Sequence, residues 1–194
     1  MELEEFRRAF QQTTDNGIFF DNASMGPVAP AVTQAMAACM QLRQAMPMKY
    51  YQYAQQVFPE CRARLARLIG GQPEEIAFTE NVTYGINSAA GALPLEPGDN
   101  VILCDREFAS NVYPWLRLER SRGVEARMVP NDGGGLTVGL LERYADRRTR
   151  AVSVSSVEFS DGYTADLEAI GAWCRARGIY LVVDCAQSLG VMPM

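Results

Sequence analysis

The 194-residue sequence contains no histidine and only one lysine, Lys49. Without histidine, a Ser-His-Asp triad, a Cys-His pair and a His-ligated metal are all excluded as sites built from these residues alone. Five cysteines are present, at positions 39, 61, 104, 174 and 185, but no two form a C-x-x-C pair. An odd count at wide spacing suggests neither a disulfide framework nor a zinc site, and the five read as buried thiols. No apolar run approaches the roughly 20 residues that span a bilayer, and the amphipathic start MELEEFRRAF is not a signal peptide, so a cytoplasmic protein is expected. Basic residues are scattered and the net charge is −5, which argues against a nucleic-acid groove.

What is present is an ordinary globular composition, 48% apolar and 21% charged, enough for one sizeable core. The spacing predicts a helix near Leu3 to Gln11, a short strand at Ile18 to Phe20, and a helix from Ala31 to Met46 stopped by Pro47. A further helix is expected from about Gln52 to Ile69, broken or kinked near Pro59 and closed by Gly70-Gly71. From Ile76 the pattern changes. A strand beginning at Ile76 and strands in NVILCD, VEARMVP, RAVSVSSV and IYLVVD alternate with helices of about ten residues; Asp166 and Gly178 cap the last helix. Parallel neighbours need crossover helices, so this alternation predicts an α/β fold, a three-layer sandwich around a mostly parallel sheet. GDN at 98–100 and NDGGG at 131–135 read as turns.

Ligands in open α/β sheets bind at the carboxyl ends of the strands, and polar groups cluster at three such ends. In FTENVTYGIN a strand turns into a helix, where the Thr83 hydroxyl with the backbone of Val82 and Thr83 makes either a phosphate site or a simple N-cap. In LVVDCAQSLG, Asp184 ends an apolar strand and Gln187 follows. A carboxylate there needs a partner, either a cationic ring nitrogen, an arginine or the next turn. In DREFASNVYPW, Phe108 is placed either to stack on a planar ligand or to join the core.

The order DNASMGPVAP, FTENVTYGIN, DREFASNVYPW, VPNDGGGLTVGLLERYADRRTRAVSVSSVEFSDG, VVDCAQSLG resembles the class V aminotransferase and cysteine desulfurase family, over nearly the whole chain. The resemblance implies a fold type I pyridoxal-phosphate enzyme. It assigns Asp184 to the pyridine nitrogen, Gln187 to the phenolic oxygen, Val82 and Thr83 to the phosphate, and Phe108 to the ring face. Asn22, Ala23 and Ser24 would line the substrate side. The implied layout is an N-terminal helical segment with a short strand over residues 1–70 and an incomplete cofactor-binding large domain over 71–194. An amino acid is the implied substrate, and the implied partner is a second copy or a complementing C-terminal polypeptide.

Departures from the family pattern are specific. Desulfurases usually carry histidine at the Phe108 position, and relatives have asparagine at Phe159; both changes point away from a cysteine desulfurase and toward aminotransferase, lyase or epimerase chemistry. The family's Schiff-base lysine falls beyond Met194, and Lys49 reads as a solvated surface charge, so the chain is expected to lack covalent catalysis. A catalytically inactive or split subunit is the alternative. A nicotinamide-binding fold matches the alternation but not the motifs, because no G-x-G-x-x-G opens a helix after the first strand.

Overall fold

A computed structural model describes residues 3–10, 15–131 and 133–192 of the chain. Gln11, where the first helix was expected to end, and Asp132 of the expected glycine-rich turn lie outside the described residues. The chain divides into two compact units, one formed by residues up to Ala77 and one running from Phe78 to Pro193.

The first unit is helical, with α1 (Leu3–Ala9), α2 (Pro30–Ala45) and α3 (Pro47–Ile69) followed by a single 3₁₀ turn, Pro73–Glu75. Pro47 serves both helices: it ends α2 and occupies the first position of α3, where a missing N–H costs nothing. Pro59 lies within α3, which continues unbroken to a left-handed Gly70 cap at φ 70°, so the expected break does not occur. Ile18 to Phe20 form no strand; the segment is irregular and exposed, with no neighbouring chain among the described residues to complete a ladder. Ile76 to Phe78 are likewise without sheet pairing.

The second unit is built on four parallel strands, β1 (Asn100–Cys104), β2 (Glu125–Val129), β3 (Thr149–Ser155) and β4 (Tyr180–Asp184), in the order β2-β1-β3-β4. Its helices are α4 (Val82–Ala92), α5 (Ala109–Arg122), α6 (Val138–Tyr144) and α7 (Leu167–Arg177). Alternation along the strands divides the core in two. Val101, Leu103 and Ala151 pack with Ile86, Ala90, Trp115 and Leu118 of α4 and α5. Ile102, Cys104, Val152 and Val154 pack with Leu141, Ile170 and Trp173 of α6 and α7. Helices therefore cover both faces, as crossovers between parallel strands demand.

The strand order fixes where a ligand can bind. From β1 the chain crosses to β2 on one side, then returns to β3 on the other, so the direction of winding reverses between β1 and β3. Helices leave that point toward opposite faces and open a crevice at the carboxyl ends of the two strands.

Candidate functional site

Asp184 is the last residue of β4 and shares its side with Val182, which packs on the α4–α5 face. It is only 5% exposed. Its Oδ1 accepts from the Ala186 amide at 2.9 Å, and its backbone carbonyl accepts from the Ser156 amide at 2.9 Å and the Ser156 hydroxyl at 3.1 Å. The carboxylate thus caps the turn that carries Gln187, and β3 and β4 are tied together just past their ends. Gln187 is half-buried in that turn.

The helix opposite begins with a different cap from the one the sequence offered. Asn81 holds the N-cap position, and its side chain accepts from the Tyr84 amide at 2.9 Å. Thr83 stands inside the first turn instead, and its hydroxyl lies 2.7 Å from that of Ser110 in the first turn of α5. Because α5 directly follows the carboxyl end of β1, this bond holds the start of α4 over the same end of the sheet as Asp184. Val82, Gly85, Ile86 and Ala89 of α4 face Val182 to Ala186 and Leu189 across a cavity of about 570 Å³. Val82 and Asp184 share its wall, whereas Thr83 lies to the side of it, toward α5.

Phe108 immediately precedes α5 and is half exposed. Its ring meets that of Phe159 edge to face, with centroids 5.1 Å apart and planes at 73°. Phe159 sits in a tight hairpin after β3, closed by Glu158 N–H to Tyr163 O at 2.9 Å and Gly162 N–H to Glu158 O at 3.0 Å. Phe108 is therefore neither plain core nor an isolated stacking platform. Asn22, Ala23 and Ser24 form an exposed turn in the first unit, and Asn22 lines a cavity of about 550 Å³ there with Phe6, Phe10 and Ile18.

Four residues at this end of the sheet were not singled out from the sequence. Ser110 is one. The others are Glu107, Ser155 and Glu158. Glu107 Oε1 accepts from the Ser155 amide and Oε2 from the Ser155 hydroxyl, each at 2.6 Å. Ser155 is the register partner of Asp184 across β3 and β4, so these groups form one row. Glu158, 2% exposed, lies within hydrogen-bond reach of Glu107. Burial, then the neighbouring Glu107 carboxylate, then Asp161 and Asp184 push its carboxyl up to about 8. The signal was available: a glutamate follows each of two apolar strands within three residues, in CDREF and SSVEF. Two buried acids without a basic residue between them do not look like a site until the fold brings them together.

Cys104 and Cys174 are buried thiols as expected, whereas Cys39, Cys61 and Cys185 are only partly buried. Burial raises Cys104 and Cys174 to about 11, and Cys185, beside Asp184, is raised as well. The raised thiols of Cys104, Cys174 and Cys185 carry little thiolate at neutral pH, which makes these three poor nucleophiles. Among the described residues no group of acidic, cysteine or histidine side chains could hold a metal ion, and no helix is long and apolar enough to cross a membrane.

A parallel α/β sheet with an acid at the end of β4 and hydroxyls over the helix starts is the fold of the type I pyridoxal-phosphate enzymes, and solved structures agree. A mutant of C-DES with glycine covalently linked to its PLP cofactor matches with a TM-score of 0.88 and 26% identity, over 97% of this chain and 51% of that one. The apo cysteine desulfurase of Thermococcus onnurineus matches with a TM-score of 0.84 and 26% identity, over 100% and 50%. The chain belongs to the class V aminotransferase family, whose model, "Aminotransferase class-V", matches residues 18–194. A probable cysteine desulfurase of Methanothermobacter thermautotrophicus is 34% identical over 199 residues, 100% of this chain and 49% of the relative. The chain thus spans about half the length of the curated relatives it matches.

Proposed function

We propose that this chain is the cofactor-holding portion of a pyridoxal-phosphate enzyme acting on an amino acid, of aminotransferase, lyase or epimerase type. The observation that supports it most directly is the shared cavity wall of Val82 and Asp184. It puts the start of a helix, with unpaired N–H groups suited to a phosphate, opposite a carboxylate suited to a ring nitrogen. The donor set fits the group at both ends. The Val82 and Thr83 amides and the Thr83 and Ser110 hydroxyls are phosphate donors, and no carboxylate stands among them. When bound, the cofactor supplies an electron sink at the amino acid's α-carbon.

The residues divide the remaining work. Asp184, fixed by the Ala186 amide, would hold a positive charge at the ring nitrogen, and Gln187 on the same turn would orient the phenolic oxygen. Phe108, braced by Phe159, would cover one ring face and exclude water, but its ring has no proton to move. Asn22, Ala23 and Ser24 remain the proposed substrate-side residues. Lys49 is exposed on α3 and carries no role in this reading. The desulfurase names of the relatives name one candidate reaction; the phenylalanine at position 108 favours the others.

A second reading is a subunit completed by another polypeptide that supplies a lysine. It is favoured by β4, the last strand of the sheet, where Leu181, Val182 and Val183 are only half buried while their counterparts on β1 are fully covered. Titration of the purified chain with pyridoxal phosphate, followed by borohydride reduction, tests both. Saturable binding without a reduced adduct supports the primary reading; an adduct mapped to Lys49 overturns the bystander assignment. Absence of binding, restored by a lysine-bearing C-terminal half of a relative, supports the second.

A further inference from the structure

Three groups at the carboxyl ends of β1, β3 and β4 are acidic, and the chain has placed them where a water-exposed acid is impossible. Glu107, Glu158 and Asp184 are all buried, at 8%, 2% and 5% exposure. Glu107 spends both oxygens on Ser155, accepting from its amide and its hydroxyl. Glu158 has no such donors. Its Oε2 is buried and has no hydrogen-bonding partner, and its carboxyl faces Glu107. Two neighbouring buried carboxylates repel when both are charged, and a single proton between them resolves the conflict. The charged groups acting on Glu158 are Glu107 from the loop after β1, Asp161 from its own hairpin and Asp184 from β4; all three are acidic. The Cys104 thiol of β1, raised by burial to about 11, adds no charge at neutral pH.

We propose that Glu107 and Glu158 form a proton-sharing acid pair whose proton is given up to solvent when a cationic ligand group seats on Asp184. The coupling rests on the cofactor reading above, and its mechanism is local. A positive charge at Asp184 offsets one of the three acids that oppose ionisation of Glu158. The O–H bond of Glu158 then breaks, the proton leaves to bulk water, and the carboxylate that remains stabilises the bound cation. By linkage, affinity for that cation rises with pH over the range in which Glu158 loses its proton. Glu158 is a positioning residue in this scheme: it sets the charge that Asp184's ligand meets.

The pair is tested first without any ligand. Infrared spectra of the purified wild-type chain at neutral pH are expected to show a protonated carboxyl band that fades as the pH is raised through the mildly alkaline range and is missing from Glu158→Gln. A wild-type spectrum lacking the band overturns the pair. Calorimetric titration with pyridoxal phosphate in two buffers of different ionisation enthalpy then counts protons. Near pH 8 the wild type is expected to release more protons per bound cofactor than Glu158→Gln, by up to about half a proton, the share that the free chain still holds there, the difference cancelling the cofactor's own titration. Equal proton counts with binding intact overturn the coupling. If neither protein binds pyridoxal phosphate, the cofactor reading and the coupling both fail, and the infrared band reports separately on the acid pair.

Discussion

The hydroxyls of Thr83 and Ser110 lie 2.7 Å apart, joining the first turns of two helices whose starts are 27 residues distant in sequence. The bond crosses a surface position, so it contributes little to stability, but it sets two donors side by side where the first-turn amides of α4 converge. Thr83→Val and Ser110→Ala are each expected to weaken pyridoxal phosphate binding about fivefold, the equivalent of about 1 kcal/mol. Unfolding free energies should shift by less than about 0.5 kcal/mol. Equilibrium binding and urea unfolding on the same preparations separate the two effects.

Capping and phosphate contact are assigned to different residues, and the assignment can be checked. Asn81→Ala removes the acceptor of the Tyr84 amide and should cost about 1 kcal/mol in unfolding free energy. Thr83→Ala, two residues further in within the same first turn, should cost no capping energy. Equal losses in the two variants are the result that sinks this division of labour.

Gly135 is a position that no other residue can fill. Its φ is +56°, and a Cβ built there would lie 2.1 Å from the Tyr163 ring. Tyr163 packs on the core beneath α6 and α7, so the ring has nowhere to retreat. Gly135→Ala is expected to destabilise the chain by more than about 2 kcal/mol, combining left-handed strain with overpacking. Adding Tyr163→Leu should recover part of that loss in thermal unfolding, because it removes the clash but not the strain.

Glu158 dictates a pH dependence whose sign is unambiguous. Its carboxyl is raised from 4.5 to about 8 in the folded chain, so between those values the folded state holds a proton that the unfolded state has lost. Stability contributed by the protonated acid is fully present below the unfolded value and falls as pH rises toward the folded one. The slope is about −1.4 kcal/mol per pH unit, on the order expected for one proton. Glu158→Gln should flatten the urea-unfolding profile from about pH 5 to pH 8.

Much of this was legible from the residues. The continuous apolar run in NVILC and the Val-rich AVSVS marked strands that are buried along their whole length, and the stops at Gly123 and Gly178 are left-handed caps at φ 67° and 64°. The expected strands at Ile18 to Phe20 and Ile76 to Phe78 failed because an apolar, β-prone triplet becomes a strand only where a neighbour offers a ladder. Asp184 could be placed at a strand end from sequence. That it also caps its own turn depends on Ala186 approaching to 2.9 Å, a relationship set by the backbone. Glu107 and Glu158 stayed hidden for the opposite reason: each looks like an ordinary solvated acid until β1 and β3 are known to be neighbours.

The edge position of β4 has a consequence for handling the chain. Among the described residues its outer row of backbone N–H and C=O groups has no sheet partner, and apart from Asp184 at its far end the strand offers no lysine, proline or inward charge to discourage pairing. Such a margin recruits any extended segment that comes within reach, including the same margin of another copy. Colloidal behaviour should therefore depend steeply on concentration, and a single Tyr180→Lys change, at the exposed start of that strand, is the substitution most suited to keeping dilute and crowded preparations alike.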